Sequence, residues 1–124
     1  MPDLIQLAEL YCSAGWMSQS DAPESLQKNL EGSYAWCTAW DGDILVGFMR
    51  AISDGVSDAY MLDLIVRADY RKHGAGRQIL HTLADYLNTQ GIEWIVCIGV
   101  PGSEAFYGKT DANVMDGFTP YRFN

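Results

Sequence analysis

Leu62-Asp63-Leu64-Ile65-Val66-Arg67-Ala68-Asp69-Tyr70-Arg71-Lys72-His73-Gly74-Ala75-Gly76-Arg77-Gln78-Ile79-Leu80 is the stretch on which the reading of this chain turns. Its beginning reads as the second half of a strand over residues 59 to 67, with Tyr60, Leu62, Leu64 and Val66 on one face and Met61, Asp63 and Ile65 on the other. Its end opens a helix over residues 76 to 89, with the apolar stripe Ile79, Leu80, Leu83, Ala84 and Leu87, stopped by Gly91. Between them lies Arg71-x-x-Gly74-x-Gly76. Two glycines let the backbone turn tightly with no Cβ in the way, so successive N–H groups can point into one concavity. The helix N-terminus adds unsatisfied donors and a partial positive charge. Arg71, Lys72 and Arg77 surround the turn with mobile cations. Such a junction suits a pyrophosphate. Standing alone, the pattern also describes a plain glycine turn. Its place at a strand-to-helix junction is what favours an anion site. It follows neither the GxGxxG order of dinucleotide folds nor the GKS/T ending of a P-loop.

Charge supports the same place. The net charge is −8, which disfavours broad nucleic-acid binding. Of eight Lys and Arg residues, Arg67, Arg71, Lys72 and Arg77 fall in one eleven-residue stretch that also holds His73. An acidic protein that gathers its cations in one place is built to hold an anion there, or simply carries a solvated basic turn.

Outward from this core, residues 3 to 14 have helical spacing (Leu4, Leu7, Ala8, Tyr11), closed by Gly15. Asp21-Ala22-Pro23-Glu24 has the form of a helix start, with Asp21 as cap and a short helix running to about Glu31. Residues 34 to 40 and 44 to 52 read as strands joined by the Asp41-Gly42 hairpin turn, and Asp54-Gly55 turns into the third strand. Residues 92 to 98 are continuously apolar, as in a buried parallel strand, so residues 59 to 98 form a β-α-β unit with an expected right-handed crossover. A short helix over 103 to 109, a loop over 111 to 116 and a last strand over 119 to 123 complete the reading. No repeat or linker divides the 124 residues, so one domain over 1–124 is expected, with a core fed by 48% hydrophobic residues. No apolar run approaches a bilayer span and Met1-Pro2-Asp3 lacks a signal-peptide start, so a soluble cytoplasmic protein with no membrane partner is expected. Cys12, Cys37 and Cys97 show no zinc spacing and are expected to be reduced and mostly buried, with no metal site.

At these residues the chain resembles the GNAT superfamily of N-acetyltransferases. The quoted stretch looks like that family's strand, R/QxxGxG/A turn and helix, and Phe106-Tyr107 followed by Gly117-Phe118 is similar to its late FY…GF segment. The resemblance covers residues 3 to 123. Within the superfamily, Leu10-Tyr11, Gly15-Trp16, Val46-Gly47-Phe48-Met49-Arg50 and Asp54-Gly55 look like a group of small bacterial members. Three departures stand out. The family's first strand is missing or vestigial, Val100-Pro101-Gly102 replaces the usual Asn before the late helix, and the spacing from Phe106-Tyr107 to Gly117-Phe118 is long.

The resemblance implies an α+β fold: a central mixed, mostly antiparallel sheet with a β-α-β acetyl-CoA-binding core and flanking helices. It implies acetyl transfer from acetyl-CoA to a primary amine, either a small molecule or a lysine. The alternative is a non-catalytic acyl-CoA-binding or sensing module. The pyrophosphate would sit on the N–H groups of Arg71, Lys72, His73, Gly74, Ala75, Gly76 and Arg77, and the pantetheine arm would pair with the backbone of Leu64, Ile65 and Val66. Tyr107 is the candidate proton donor to the departing thiolate, unless it is a buried aromatic with a satisfied hydroxyl. Asp63 is the candidate base, unless it caps a loop or pairs with an Arg; Asp54 and Glu104 are weaker, and a water chain is the alternative to all three. His73 is read as electrostatic and His81 as surface. Trp16 and Trp40 are candidates for an acceptor pocket, against core or wall. A backbone N–H of the third strand would stabilise the oxyanion. The open edge left by the missing first strand leaves room for a homodimer.

Overall fold

The computed structural model describes residues 2–124. The chain begins with helix α1 (Leu4–Ser13), capped by Asp3, whose Oδ1 accepts the N–H groups of Ile5 at 2.9 Å and Gln6 at 3.4 Å. A 3₁₀ turn (Pro23–Ser25) leads into the short α2 (Leu26–Glu31). Asp21 does not cap this helix as expected; its Oδ2 accepts the Ser18 N–H at 2.9 Å and closes the preceding loop.

Four strands follow: β1 (Ala35–Asp41), β2 (Ile44–Ser53), β3 (Asp58–Val66) and β4 (Trp94–Cys97), in the spatial order β1-β2-β3-β4. β1, β2 and β3 are antiparallel and β4 is parallel to β3. Between β3 and β4 the chain passes through a 3₁₀ turn (Ala68–Tyr70) and helix α3 (Ala75–Thr89), and a single helical turn, α4 (Glu104–Tyr107), follows β4. The mixed, mostly antiparallel sheet with flanking helices is the expected architecture. Among the described residues no strand precedes α1, and no helix is long and apolar enough to cross a membrane.

The sheet divides the core in two. On one face Leu7, Leu10 and Tyr11 of α1 and Leu26 and Leu30 of α2 pack on Leu45, Phe48 and Ile65. On the other, Ile79, Leu80, Leu83 and Leu87 of α3 pack on Met49, Ala51, Ala59 and Met61. Burying each such Leu, Ile or Phe stabilises the fold by about 1.5–3 kcal/mol relative to exposure. α3 approaches the sheet at Gly47, where a Cβ would meet Ile79 Cδ1 at 2.6 Å and the Ile65 carbonyl at 3.1 Å.

β3 departs from simple alternation. Phe48 pairs with Ile65 but Arg50 pairs with Leu62, so β3 carries one residue more than β2 across this step. The irregularity falls at Asp63, whose φ of 62° is left-handed. As a result Met61, Leu64 and Val66 belong to the α3 side, while Ile65 belongs to the α1 side. Asp63 bonds to Tyr11 of α1 on that same side. This corrects the regular two-residue alternation expected for residues 60 to 66.

Two other expectations fail. Residues 92 to 98 do not form a buried strand, because only Trp94–Cys97 pairs and β4 is an edge with Trp94 and Ile98 exposed. Residues 119 to 123 form no strand; they are irregular and exposed throughout, with Pro120 lacking a ladder donor. The three cysteines are free but only partly buried, not buried as expected.

Candidate active site

Three elements converge where β3 ends. The parallel ladder between β3 and β4 stops at Met61 and Cys97. Beyond it Leu62 to Val66 has β2 on one side and no strand on the other, so Leu64, Ile65 and Val66 present an open backbone edge. α3 starts beside that edge. A Cβ on Gly76 would lie 3.4 Å from Val66 Cγ2 and 3.2 Å from the Phe106 ring, so the helix N-terminus touches both β3 and α4. The neighbour of Phe106 is Tyr107, whose ring meets that of Phe106 edge-on at 5.0 Å.

The turn between β3 and α3 has left-handed residues at Lys72 (φ 67°) and Gly74 (φ 86°). That alternation turns successive N–H groups to one side. The first helical bond is from Gln78 N–H to the Gly74 carbonyl at 3.0 Å. Among the described residues the N–H groups of Lys72, His73, Gly74, Ala75, Gly76 and Arg77 find no acceptor in the protein. Arg71 leans back along the strand end, its Nε donating to the Val66 carbonyl at 3.0 Å. Arg67 does not join this cluster. Its guanidinium donates to the Leu45 carbonyl at 2.8 Å, to Gln6 Oε1 at 3.3 Å and to Glu9 Oε1 at 3.0 Å, which ties β3 to α1.

Tyr107 packs with Cys97 against the α3-side core. Burial, followed by the neighbouring Cys97 thiol and Tyr60, pushes its hydroxyl up to about 12, so it is protonated at neutral pH. Burial likewise pushes the Cys97 thiol up.

Asp63 is engaged rather than free. Its Oδ2 accepts from Arg50 Nε at 2.7 Å and from the Tyr11 hydroxyl at 2.6 Å. Arg50 also donates to Ser33 Oγ at 3.3 Å and to the Asn29 carbonyl at 3.5 Å, linking the bulge to the end of α2. Burial, then the bond and charge of Asp63, push the Tyr11 hydroxyl far above the ordinary phenol value. Asp63 Oδ1 makes no hydrogen bond among the described residues. The carboxylate borders a cleft of about 300 Å³ lined also by Tyr11, Trp16, Met17, Asp21 and Asn29. Pairing of Asp63 with an Arg is one of the alternatives the sequence leaves open; Tyr11 and Arg50 stand in the sequence as part of the family resemblance, which assigns no role to them, to Asn29 or to Ser33. No local signal joins residues 52 and 13 positions apart in sequence.

Trp16 is at the cleft, whereas Trp40 lies exposed on β1, its Nε1 donating to Thr38 Oγ1 at 3.0 Å. Asp54 caps its own turn, accepting from the N–H groups of Val56 and Ser57 at 2.8 and 2.9 Å, which lowers its pKa to about 2. Asp54 and Asp58 stand at the start of β3, and Asp58 is five residues, about 16 Å, from the bulge. Neither lines the cleft. Glu104 is exposed in the first turn of α4. Among the described residues no three His, Cys, Asp or Glu side chains gather as a metal site.

The sheet thus opens at the end of β3 beside a row of N–H groups without protein acceptors, in a β-α-β unit with an adjoining cleft. The chain belongs to the acetyltransferase (GNAT) family, whose model matches residues 1–111. It is 30% identical over 109 residues to an uncharacterized ycf52-like N-acetyltransferase of Prochlorococcus marinus, a match that covers 85% of this chain and 59% of that relative. In structure it resembles a probable acetyltransferase from methicillin-resistant Staphylococcus aureus, with a TM-score of 0.81 at 21% identity over 99% of this chain and 92% of that one. It also resembles an aminoglycoside 6′-N-acetyltransferase complexed with coenzyme A, with a TM-score of 0.65 at 22% identity over 76% of this chain and 53% of that one. These two likenesses speak to the fold.

Proposed function

We propose that this chain transfers the acetyl group of acetyl-CoA to a primary amine. The observation that carries the reading is the row of six free N–H groups over residues 72 to 77, set beside the open edge of β3. The free donors and the cations of Arg71, Lys72 and Arg77 hold the pyrophosphate. The backbone of Leu64, Ile65 and Val66 pairs with the pantetheine amides as a neighbouring strand does. The structural likeness to a protein complexed with coenzyme A supports this choice of anion.

The acceptor enters the cleft at Asp63. Two carboxylates, Asp21 and Asp63, and Trp16 are among the residues that line it, which favours an alkylammonium. The free Oδ1 of Asp63 holds the ammonium and is the first acceptor of its proton, since the charged form has no lone pair to attack with. The neutral nitrogen attacks the thioester carbonyl, a backbone N–H of β3 stabilises the developing negative oxygen, the C–S bond breaks, and the acetylated nitrogen loses its second proton to solvent. The Tyr107 hydroxyl donates a hydrogen bond to the departing sulfur, and the thiolate takes its proton from solvent.

Release of free thiol from acetyl-CoA in the presence of a panel of amines tests the proposal. Amine-dependent release supports it. Tight acetyl-CoA binding with no release across small amines and lysine peptides would leave the non-catalytic binding module as the reading.

A further inference from the structure

Asp63 carries two donors on one oxygen and none on the other. Arg50 Nε and the Tyr11 hydroxyl both meet Oδ2, at 2.7 and 2.6 Å. Oδ1 is left for the cleft that the carboxylate borders. Arg50 does not line that cleft. Its side chain is only 14% exposed, and its NH1 donates to Ser33 Oγ at 3.3 Å and to the Asn29 carbonyl at 3.5 Å. The guanidinium is thus anchored behind the carboxylate and stays there when a ligand arrives. An arginine also keeps its charge throughout the working pH range.

A carboxylate on its own would hold an alkylammonium too well. The ion pair favours the charged nitrogen, which has no lone pair to attack with. A fixed cation beside the same carboxylate opposes this. With ordinary hydrogen-bond lengths, an amine nitrogen on Oδ1 stands about 6 Å from the Arg50 guanidinium. At an effective dielectric constant near ~20, that repulsion moves the bound amine's pKa down by about 1–2 units. The other groups at the site do not cancel it. The Tyr11 hydroxyl of α1, pushed far above the ordinary phenol value, stays neutral. Asn29 and Leu26 of α2 and Ser25 before them are uncharged. Asp21, from the loop after α1, is the other charged residue that lines the cleft, and it acts alike with and without Arg50.

We propose that Arg50 is a positioning residue for the acceptor: it fixes Asp63 with one oxygen free, and its charge keeps the amine held there from being locked in the ammonium form. The inference rests on the reading that the acceptor enters at Asp63. Its sign is opposite to that of a structural prop. Loss of a prop weakens ligand binding, whereas loss of this charge tightens the hold on the ammonium and delays release of its proton.

Calorimetry of benzylamine binding to the full chain, with and without coenzyme A, in buffers of different ionisation enthalpy reads both Kd and the protons released. Arg50→Gln should bind benzylamine about 10-fold more tightly near neutral pH, and proton release should begin about 1 pH unit higher. Arg50→Lys keeps the charge and should stay within about 3-fold in Kd and ~0.3 unit in pH of the wild type. Where circular dichroism shows the Gln variant unfolded, Arg50→Met, whose unbranched stem keeps the packing, carries the same expectation as Gln. In thiol release, the acid limb of kcat should move up with the bound amine. Equal or weaker benzylamine binding in the uncharged variants overturns the proposal. So does an Arg50→Lys variant displaced as far as Arg50→Gln, since geometry rather than charge then governs. A wild type that releases no thiol with any amine, while the calorimetric pattern holds, removes the acetyl-transfer reading and leaves the assignment of Arg50 standing.

Discussion

Replacing Tyr107 by Phe removes one oxygen and little else, because the ring stays packed against Phe106 and the α3-side core. The magnitude follows from the environment. An unassisted general acid can contribute 10²–10⁴-fold, but only when its pKa suits the group it protonates. The Tyr107 hydroxyl is pushed up to about 12, whereas an ordinary thiol lies near ~8.5. Full proton transfer early in C–S cleavage is therefore uphill, and the hydroxyl acts mainly as a hydrogen-bond donor to developing charge. Such a bond contributes about 1.5–3 kcal/mol, or roughly 10- to 150-fold in rate. Tyr107→Phe should lower kcat by that factor in a thiol-release assay while leaving the calorimetric Kd for coenzyme A within about two-fold. The sign in pH also follows. The protonated form is the active one, so its contribution is complete below the raised pKa and disappears only as pH climbs through about 12. The wild-type kcat profile should thus show no tyrosine-linked fall below about pH 11. Unchanged turnover in the Phe variant, or an equal loss in coenzyme A affinity, refutes the assignment.

Gly74→Glu places a carboxylate in the turn in open space but at a left-handed φ of 86°, which costs about 1–2 kcal/mol of stability, and acetyl-CoA affinity should fall at least ~10-fold by calorimetry on variant protein whose fold is confirmed by circular dichroism. Gly76 is a poorer probe, since its Cβ would press on Phe106 at 3.2 Å and confuse packing with binding. Gly47→Ala should cost about 1–3 kcal/mol in urea unfolding, because Ile79 Cδ1 can rotate away from the new methyl but the Ile65 carbonyl at 3.1 Å cannot. Asp63→Asn should raise the amine KM with little change in coenzyme A Kd; the opposite split would move Asp63 out of the acceptor site. The KM of a cationic amine should also rise with salt, as the Debye length shrinks to about 3 Å at 1 M, and an anionic amino sugar phosphate that outperforms cationic amines would contradict the acidic cleft.

Local rules carried much of the fold into view. The periodicity of Ile79, Leu80, Leu83 and Leu87 gives α3, and the glycines and cations of residues 71 to 77 mark the turn because their chemistry is contiguous in sequence. What escaped was non-local. Nothing adjacent to Asp63 announces Arg50 or Tyr11, since the three meet only after β2, β3 and α1 have packed. The bulge itself is invisible to a two-residue period, which reads through it and assigns Leu64 and Val66 to the wrong side. Arg67 looked like its basic neighbours, yet strand register turns it towards α1. Residues 119 to 123 have the alternation of a strand, but alternation cannot supply a partner edge.

The extra residue in β3 has a consequence for how that strand can vary. Strike Asp63 from the sequence and the remaining Met61, Leu62, Leu64, Ile65, Val66 alternate without a fault, Met61, Leu64 and Val66 showing the core assignments they already have. Asp63 is a parenthesis in the hydrophobic grammar of the strand. The core exerts no claim on its side chain, and its left-handed backbone, uncommon for a residue with a Cβ, is maintained by the Arg50 and Tyr11 contacts rather than by apolar packing. Its identity is therefore set by Arg50 and Tyr11: replacing it leaves both apolar cores in place but strands the Arg50 guanidinium and the Tyr11 hydroxyl, both part-buried.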